Sequence, residues 1–431
     1  MLALMAHVQA FAGHVMLADT ISGSDIYPGT VHTLTVSVPD AYRPSQPACL
    51  YVGLDGELCG APAAIDTLMA AGKMPVTIGV YLQPGVVRDG QGRVVRYNRS
   101  NEFDATTATF ATFLEREVLP RVERLVTPDG RHLHLSARPA DRMIFGLSSG
   151  GIAAFVAAWH RPDLFSRVFS GCGTFVAMRG GNELQALVRK SEPRALRVFL
   201  QDGYSDAWNP LFGHWYEGNR MLASALDFAG YDCRFDWAEG GHSVRRANQI
   251  FAQVMEWMWH DYPAAPRQGA SGNGLLQQLL IAGQDWQACA APHTPQAADS
   301  CVAIYPDSSI MAVREADGGN CLKQYTRDEG GRWTNGQRYY WLHSAAVERL
   351  EVSGMTFDGD GDLWALTNAG LQVCDQNGRV RAILSLPCGQ WRGGPVVITE
   401  GQVLLPAYGM VRRLGVKAPQ PGVRPKSQGQ G

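Results

Sequence analysis

The stretch MIFGLSSGGIAAFVAAWH, residues 143–160, decides the reading of this chain. Its first five residues are an apolar, strand-like run, and from Gly150 small and apolar residues continue at a length that suits a helix. Between them, Gly146-Leu147-Ser148-Ser149-Gly150 spells Gly-x-Ser-x-Gly. In a strand–turn–helix setting this pattern forms a sharp elbow that aims a serine hydroxyl out of the sheet. So tight a turn needs flanking positions without a bulky Cβ, which Gly146 and Gly150 supply. Gly151 and Ala153 let the helix start close to the sheet. The elbow also leaves the Ser149 backbone N–H free to bind an oxyanion.

A serine hydroxyl is a weak nucleophile and needs a base, which itself needs an orienting acid. In folds with this elbow the order is Ser, then Asp or Glu, then His, with acid and base on loops that follow strands. Asp206 lies in LQDGYSDAWNP after the strand-like LRVFL, and His242 lies in EGGHS after CRFDWA. Gly240 and Gly241 would let the His242 loop approach the serine. Asp202 is the alternative acid; otherwise it forms a turn ahead of Gly203. The second oxyanion donor is expected in the loop Leu54-Asp55-Gly56-Glu57, at the Glu57 amide, with Gly56 next in line. Arg99 and Glu102, in YNRSNEFD, are candidates for substrate binding. Opposite charges three apart more commonly form an exposed ion pair.

Outward from the elbow, residues 30–262 alternate strand-like and helix-like stretches. Strands are expected at 32–38, 49–54, 75–81, 143–147, 167–170, 196–200 and 233–238. Helices are expected at 106–126, 150–160, 215–229 and 245–260. Several strands are continuous apolar runs, which favours a mainly parallel sheet covered on both faces by helices, an α/β class. PAAPRQGASGNG (263–274) reads as a linker. Residues 275–417 switch to short aromatic-bearing strands between turn clusters, an all-β pattern. About 145 residues hold roughly three propeller blades of 40–45 residues. Asp358, Asp360 and Asp362 lack the glycine and glutamate spacing of a calcium loop and read as a hairpin turn. The tail 418–431 is too polar and Pro/Gly-rich to fold alone.

Composition narrows the partners. The 431 residues are 45% hydrophobic and 18% charged with a formal net charge of -2, an ordinary globular profile without a basic run for nucleic acid. No stretch reaches the ~20 unbroken apolar residues of a membrane span. Residues 1–29 read as a poorly specified N-terminal segment. The first 18 are apolar but lack the charged start of a secretory signal, so a cytoplasmic location is expected over a secreted one. The nine cysteines form no CxxC pair. Cys49, Cys172 and Cys233 read as buried small hydrophobes, and pairing among Cys289, Cys301 and Cys321 stays open. The chemistry outlined needs no cofactor and no metal.

With these residues in view, the first 262 residues resemble the esterase D and enterochelin-esterase-like branch of the α/β-hydrolases, related to feruloyl and acetyl-xylan esterases and mycolyltransferases. The resemblance runs through residues 27–56, RSNEF (99–103), FGLSSGG (145–151), FLQDGYSD (199–206) and EGGHS (239–243). It implies a three-layer α/β-hydrolase sandwich that cleaves small-molecule, carbohydrate-linked or siderophore-type esters. It also implies Ser148 as nucleophile, Asp206 as acid, His242 as base, and the Glu57 and Ser149 amides as oxyanion donors. MTFDGDGDLWALTNAGLQVCDQNGRV (355–380) resembles part of a gluconolactonase-type β-propeller. Those propellers hold a divalent metal with an early Glu, and AAPHTPQAADSC (290–301) supplies none. Two other functional classes remain: an inactive hydrolase scaffold that acts as a binding module, and a metal-dependent lactonase in the β region.

Overall fold

The computed structural model describes residues 8–11 (backbone only), 13–289, 301–315, 319–387 and 391–423. The chain divides into two compact units, Met1–Gln185 with Pro193–Ala270, and Ala186–Glu192 with Ser271–Gly431. The division at Ala270/Ser271 lies inside the 263–274 linker of the sequence reading. That reading did not separate Ala186–Glu192 from the first domain.

The first unit is built on one mixed sheet. Across it run Val8–Phe11, His14–Ser22, Val31–Pro39, Thr77–Leu82, Cys49–Leu54, Arg142–Leu147, Arg167–Gly171, Arg197–Gly203 and Asp232–Ala238. From Thr77–Leu82 onward every pairing is parallel. Cys49–Leu54 and Thr77–Leu82 are buried along their whole lengths, as parallel strands covered on both faces must be. Helices Ala61–Ala70 and Val244–Trp259 contact one another, and residues of both join Tyr51, Phe145 and Phe169 in one apolar core. Helix Ser149–His160 packs on strands Arg142–Leu147 and Arg167–Gly171. These layers are those of an α/β-hydrolase.

Three expectations about this unit need correction. His14–Ser22, read as part of an unspecified segment, is a strand paired along its full length with Val31–Pro39. The helix expected over 106–126 is three pieces, Thr109–Phe113, a wider π-type turn Leu114–Val118, and Leu119–Glu123. Pro120 falls within the last piece, where it cannot donate to the helical ladder. Cys233 is half-buried rather than buried. Among the described residues Cys289 and Cys321 are free thiols. Cys388, residues 1–7, most of 290–301 and the end of the tail lie outside the described residues.

The second unit holds three four-stranded antiparallel sheets. One runs Val302–Ile304, Ile310–Val313, Cys321–Arg327, Trp333–Trp341, and the next Val352–Phe357, Leu363–Thr367, Gly370–Cys374, Val380–Leu384. The third joins Gln287–Ala288 from the start of the unit to Met410–Arg413, Gln402–Leu405 and Val397–Thr399 from its end. The DGDGD segment turns the chain between Val352–Phe357 and Leu363–Thr367. Asp358 caps that turn, accepting the Asp360 and Asp362 amides (both 2.9 Å) and Trp364 Nε1 (2.8 Å).

No helix among the described residues is long and apolar enough to cross a membrane.

Candidate active site

Ser148 stands between strand Arg142–Leu147 and helix Ser149–His160 with φ 59° and ψ −122°. Positive φ is costly for a residue with a side chain, so the neighbours must impose it. The Ser148 N–H donates to Gly171 O at 2.9 Å, and the Ser148 carbonyl takes N–H bonds from Gly151, Ile152 and Thr174. The glycines on either side are dictated by space. A Cβ on Gly146 would lie 2.2 Å from Gly150 O, and one on Gly151 would lie 2.7 Å from Ser170 Oγ.

The Ser148 hydroxyl donates to His242 Nε2 at 2.8 Å, and His242 Nδ1 donates to Asp206 Oδ1 at 2.7 Å. The tautomer follows from the acid. Burial pushes the Asp206 pKa up, but hydrogen bonds from His242, Asp202 and the Ala207 amide outweigh it and leave it lowered, so Asp206 is a carboxylate. Asp206 is buried while His242 is exposed, so the imidazole is reachable and its carboxylate anchor is not. The loops that bear them are latched together. Tyr204 N–H bonds Ala238 O and Ser205 N–H bonds Gly240 O, each at 2.9 Å. The Trp215 ring stands edge-on to His242 at 6.0 Å between centroids and donates from Nε1 to Thr174 Oγ1. Such an arrangement can take the serine proton and return it to a leaving group.

On the other side of Ser148 lies the Leu54–Glu57 turn. Asp55 (φ 64°) and Gly56 (φ 81°) are successive left-handed residues. Three contacts hold the turn: Gly56 N–H to Leu82 O (3.0 Å), Gln83 Nε2 to Asp55 O (3.2 Å), and a two-pronged Arg99–Asp55 pair at 2.6 and 2.8 Å. Because the Gly56 N–H is taken by Leu82, it is no longer an alternative oxyanion donor. Among the described residues no acceptor takes the Glu57 or Ser149 N–H. A cleft of about 910 Å³ opens beside the turn, lined by Thr33, Thr35, Gly56, Glu57, Gln83 and Arg121 among others.

Arg99 and Glu102 do not pair with each other. Arg99 faces the elbow through Asp55 and reaches Leu147 O at 3.4 Å. Glu102 cannot touch a substrate: it is fully enclosed and accepts from Asn98 Nδ2 (2.7 Å), His32 Nε2 (3.0 Å) and the Gly85 amide. These hydrogen bonds fix the segment that presents Arg99.

Asp202, the alternative acid, is wholly buried at the end of strand Arg197–Gly203 and does not reach His242. It accepts from the Gly203 amide (2.7 Å) and Asn219 Nδ2 (2.8 Å). Sequence reasoning did not anticipate Asn219, Trp215 or Asp55 at this site. Only Asp55 carried a signal, as a non-glycine residue in a turn that needs positive φ.

Cys172, Asp206 and His242 bring three metal-capable groups within 4.8 Å of one another. They do not fit a metal, because Asp206 and His242 already bind each other, and burial drives the Cys172 pKa far up, keeping a neutral thiol.

Residues 27–267, more than half of the chain, match the family model Esterase, described as "Putative esterase". No curated protein matches. Among solved structures, a ferulic acid esterase is 18% identical with a TM-score of 0.44, over 57% of this chain and 98% of its own. An enterobactin esterase from Shigella flexneri is 20% identical with a TM-score of 0.42, over 56% of this chain and 59% of its own. A ferric enterobactin esterase from Salmonella typhimurium is 19% identical with a TM-score of 0.44, over 57% of this chain and 58% of its own. The chain thus spans less than two thirds of the enterobactin esterases it matches. Likenesses at this level assign neither substrate nor mechanism.

Proposed function

The chain belongs to the Esterase family, and from that premise we propose that it is a serine hydrolase cleaving carboxylic esters. The observation that carries this reading is the hydrogen-bonded chain Ser148 Oγ–His242 Nε2 and His242 Nδ1–Asp206 Oδ1, at 2.8 and 2.7 Å, on a strained elbow. His242 takes the Ser148 proton as Oγ attacks the ester carbonyl. The Glu57 and Ser149 amides receive the developing oxyanion, and Asp206 holds the imidazolium. The protonated His242 then gives its proton to the departing alcohol. Water, activated by the same base, hydrolyses the acyl-enzyme. One part of the ester extends into the cleft beside Glu57, where Thr33, Thr35 and Gln83 offer polar contacts to a hydroxyl-rich group. The segment 275–417 is read as a structural or binding module of blade-like sheets.

Fluorophosphonate labelling tests the mechanism, alongside turnover of p-nitrophenyl acetate and of carbohydrate-linked and siderophore-type esters. Wild type should label and turn over. Ser148→Ala and His242→Ala should lose turnover by about 10⁴-fold or more with the fold intact. A Ser148→Ala protein that keeps wild-type rates would end the proposal.

A further inference from the structure

Behind the acid of this site lies a second carboxyl group that ester cleavage does not itself require. Asp202 is fully buried next to the end of its strand, and the turn closed by Asp206 N–H to Gly203 O (3.1 Å) sets the Asp206 carboxyl beside it. Asp206 Oδ1 takes both the His242 and Ala207 N–H groups. Asp206 Oδ2 is buried and receives no donor from any neighbour that carries a fixed proton. No arginine or lysine pairs with Asp202 among the described residues. Its partners are the Gly203 amide and Asn219 Nδ2, the latter also donating to Gly173 O at 2.8 Å.

Two carboxylates in contact and shielded from water cannot both stay ionised, so one proton must sit between them. Asp206 faces the imidazole and two N–H donors in all, which favours its anion. We propose that Asp202 is a positioning residue that holds this proton and donates it to Asp206 Oδ2, fixing the plane of the carboxylate that orients His242. This inference rests on the serine-hydrolase reading above for its effect on turnover. Burial and the neighbouring Asp206 both raise the Asp202 pKa, in agreement. The other titratable groups facing the pair are His242 and Cys172, a neutral thiol. Helix Trp215–Phe228 contributes only the uncharged Asn219.

The donated hydrogen bond also draws charge away from the face that Asp206 turns to His242. Without it, Asp206 would stabilise the imidazolium more strongly and the His242 pKa would rise. A merely space-filling Asp202 would not have this consequence.

The test compares full-length wild type, Asp202→Asn and Asp202→Leu, with folding checked by circular dichroism. The acid limb of kcat/KM and the His242 imidazole titration by NMR are measured in parallel. The carboxamide of Asp202→Asn keeps a donor for Asp206 and adds no charge, so its acid limb should coincide with wild type. Asp202→Leu has the same branching without a donor; its limb should rise by about half a pH unit or more, with kcat/KM down about tenfold. An acid limb that moves down in Asp202→Asn would mean that wild-type Asp202 is ionised, and would overturn the proposal. So would a Leu variant with unchanged titration. The NMR titration needs no turnover. If it behaves as stated while wild type neither labels nor cleaves esters, the shared proton stands and the esterase reading fails.

Discussion

At Ser148 a side chain is held where only glycine is comfortable, at a cost of order 1–3 kcal/mol. The Gly171 carbonyl and the three N–H groups on the Ser148 carbonyl hold it there. The buried acid next door is a second strained residue, and its cost depends on pH. The folded Asp202 pKa is raised above its unfolded value. Below about pH 4 both states carry the proton and no penalty exists. As pH rises, the unfolded state releases the proton and the folded state retains it, so stability falls until the folded pKa is passed. Asp202→Asn cannot release a proton in either state, so it should gain stability over wild type from pH 5 to 8, with the difference growing with pH. Urea unfolding midpoints across that range check this, and a gap that shrinks with rising pH would contradict it. At this scale the sequence marked Ser148, Asp206 and His242 as candidates, since an elbow and two strand-end loops are patterns of local order, and the fold brings the three into one hydrogen-bonded chain. The sequence could not supply the Arg99–Asp55 pair, the burial of Glu102 or the Asp202–Asp206 contact. The first two depend on where separate segments meet in space, and the third on how the turn after Asp202 folds back on it.

Among the elements, the parallel strands could be read almost to their ends, because burial on both faces leaves unbroken apolar runs such as CLYVGL and RVFS. His14–Ser22 could not. It is half-buried, carries His14 and Asp19, and takes its identity from nine backbone pairings to Val31–Pro39. The helix after Ala108 defeated the periodic reading because its middle widens into a π-type turn. The loop ends behave in the same non-local way. A Cβ on Gly203 would stand 2.2 Å from Gly240 O and 2.6 Å from Gly240 C. Those atoms are backbone of the loop that brings in His242. Gly203→Ala must therefore push the His242 and Asp206 loops apart, although φ at Gly203 needs no glycine. A displacement near 1 Å costs about 100-fold in rate. The expected result is a drop of that order in kcat with fluorophosphonate labelling slowed in parallel. Wild-type kcat in a folded Gly203→Ala protein would show that the loops are not latched at this point.

For the whole molecule, the sequence suggested two successive domains, yet the chain visits the second unit early. Ala186–Glu192 belongs there, and no composition shift marks the excursion. Its anchor is Glu192, buried and held by Arg412 through two hydrogen bonds at 2.9 and 2.6 Å, with the Ser385 amide at 3.3 Å. Ser191 adds a parallel bridge to Ile383. Both charged partners are nearly enclosed, at 8% and 4% exposure, so the pair has little net worth against apolar replacements. Each member alone is expensive to leave behind. Arg412→Met would strand the Glu192 carboxylate without its counter-charge and should lower stability by about 3–5 kcal/mol. Adding Glu192→Met removes the stranded charge and should recover most of that loss. A double-mutant cycle by urea unfolding reads both steps. If Arg412→Met costs under about 1 kcal/mol, the pair behaves as a solvated surface bridge, and something other than this contact holds residues 186–192 in the second unit.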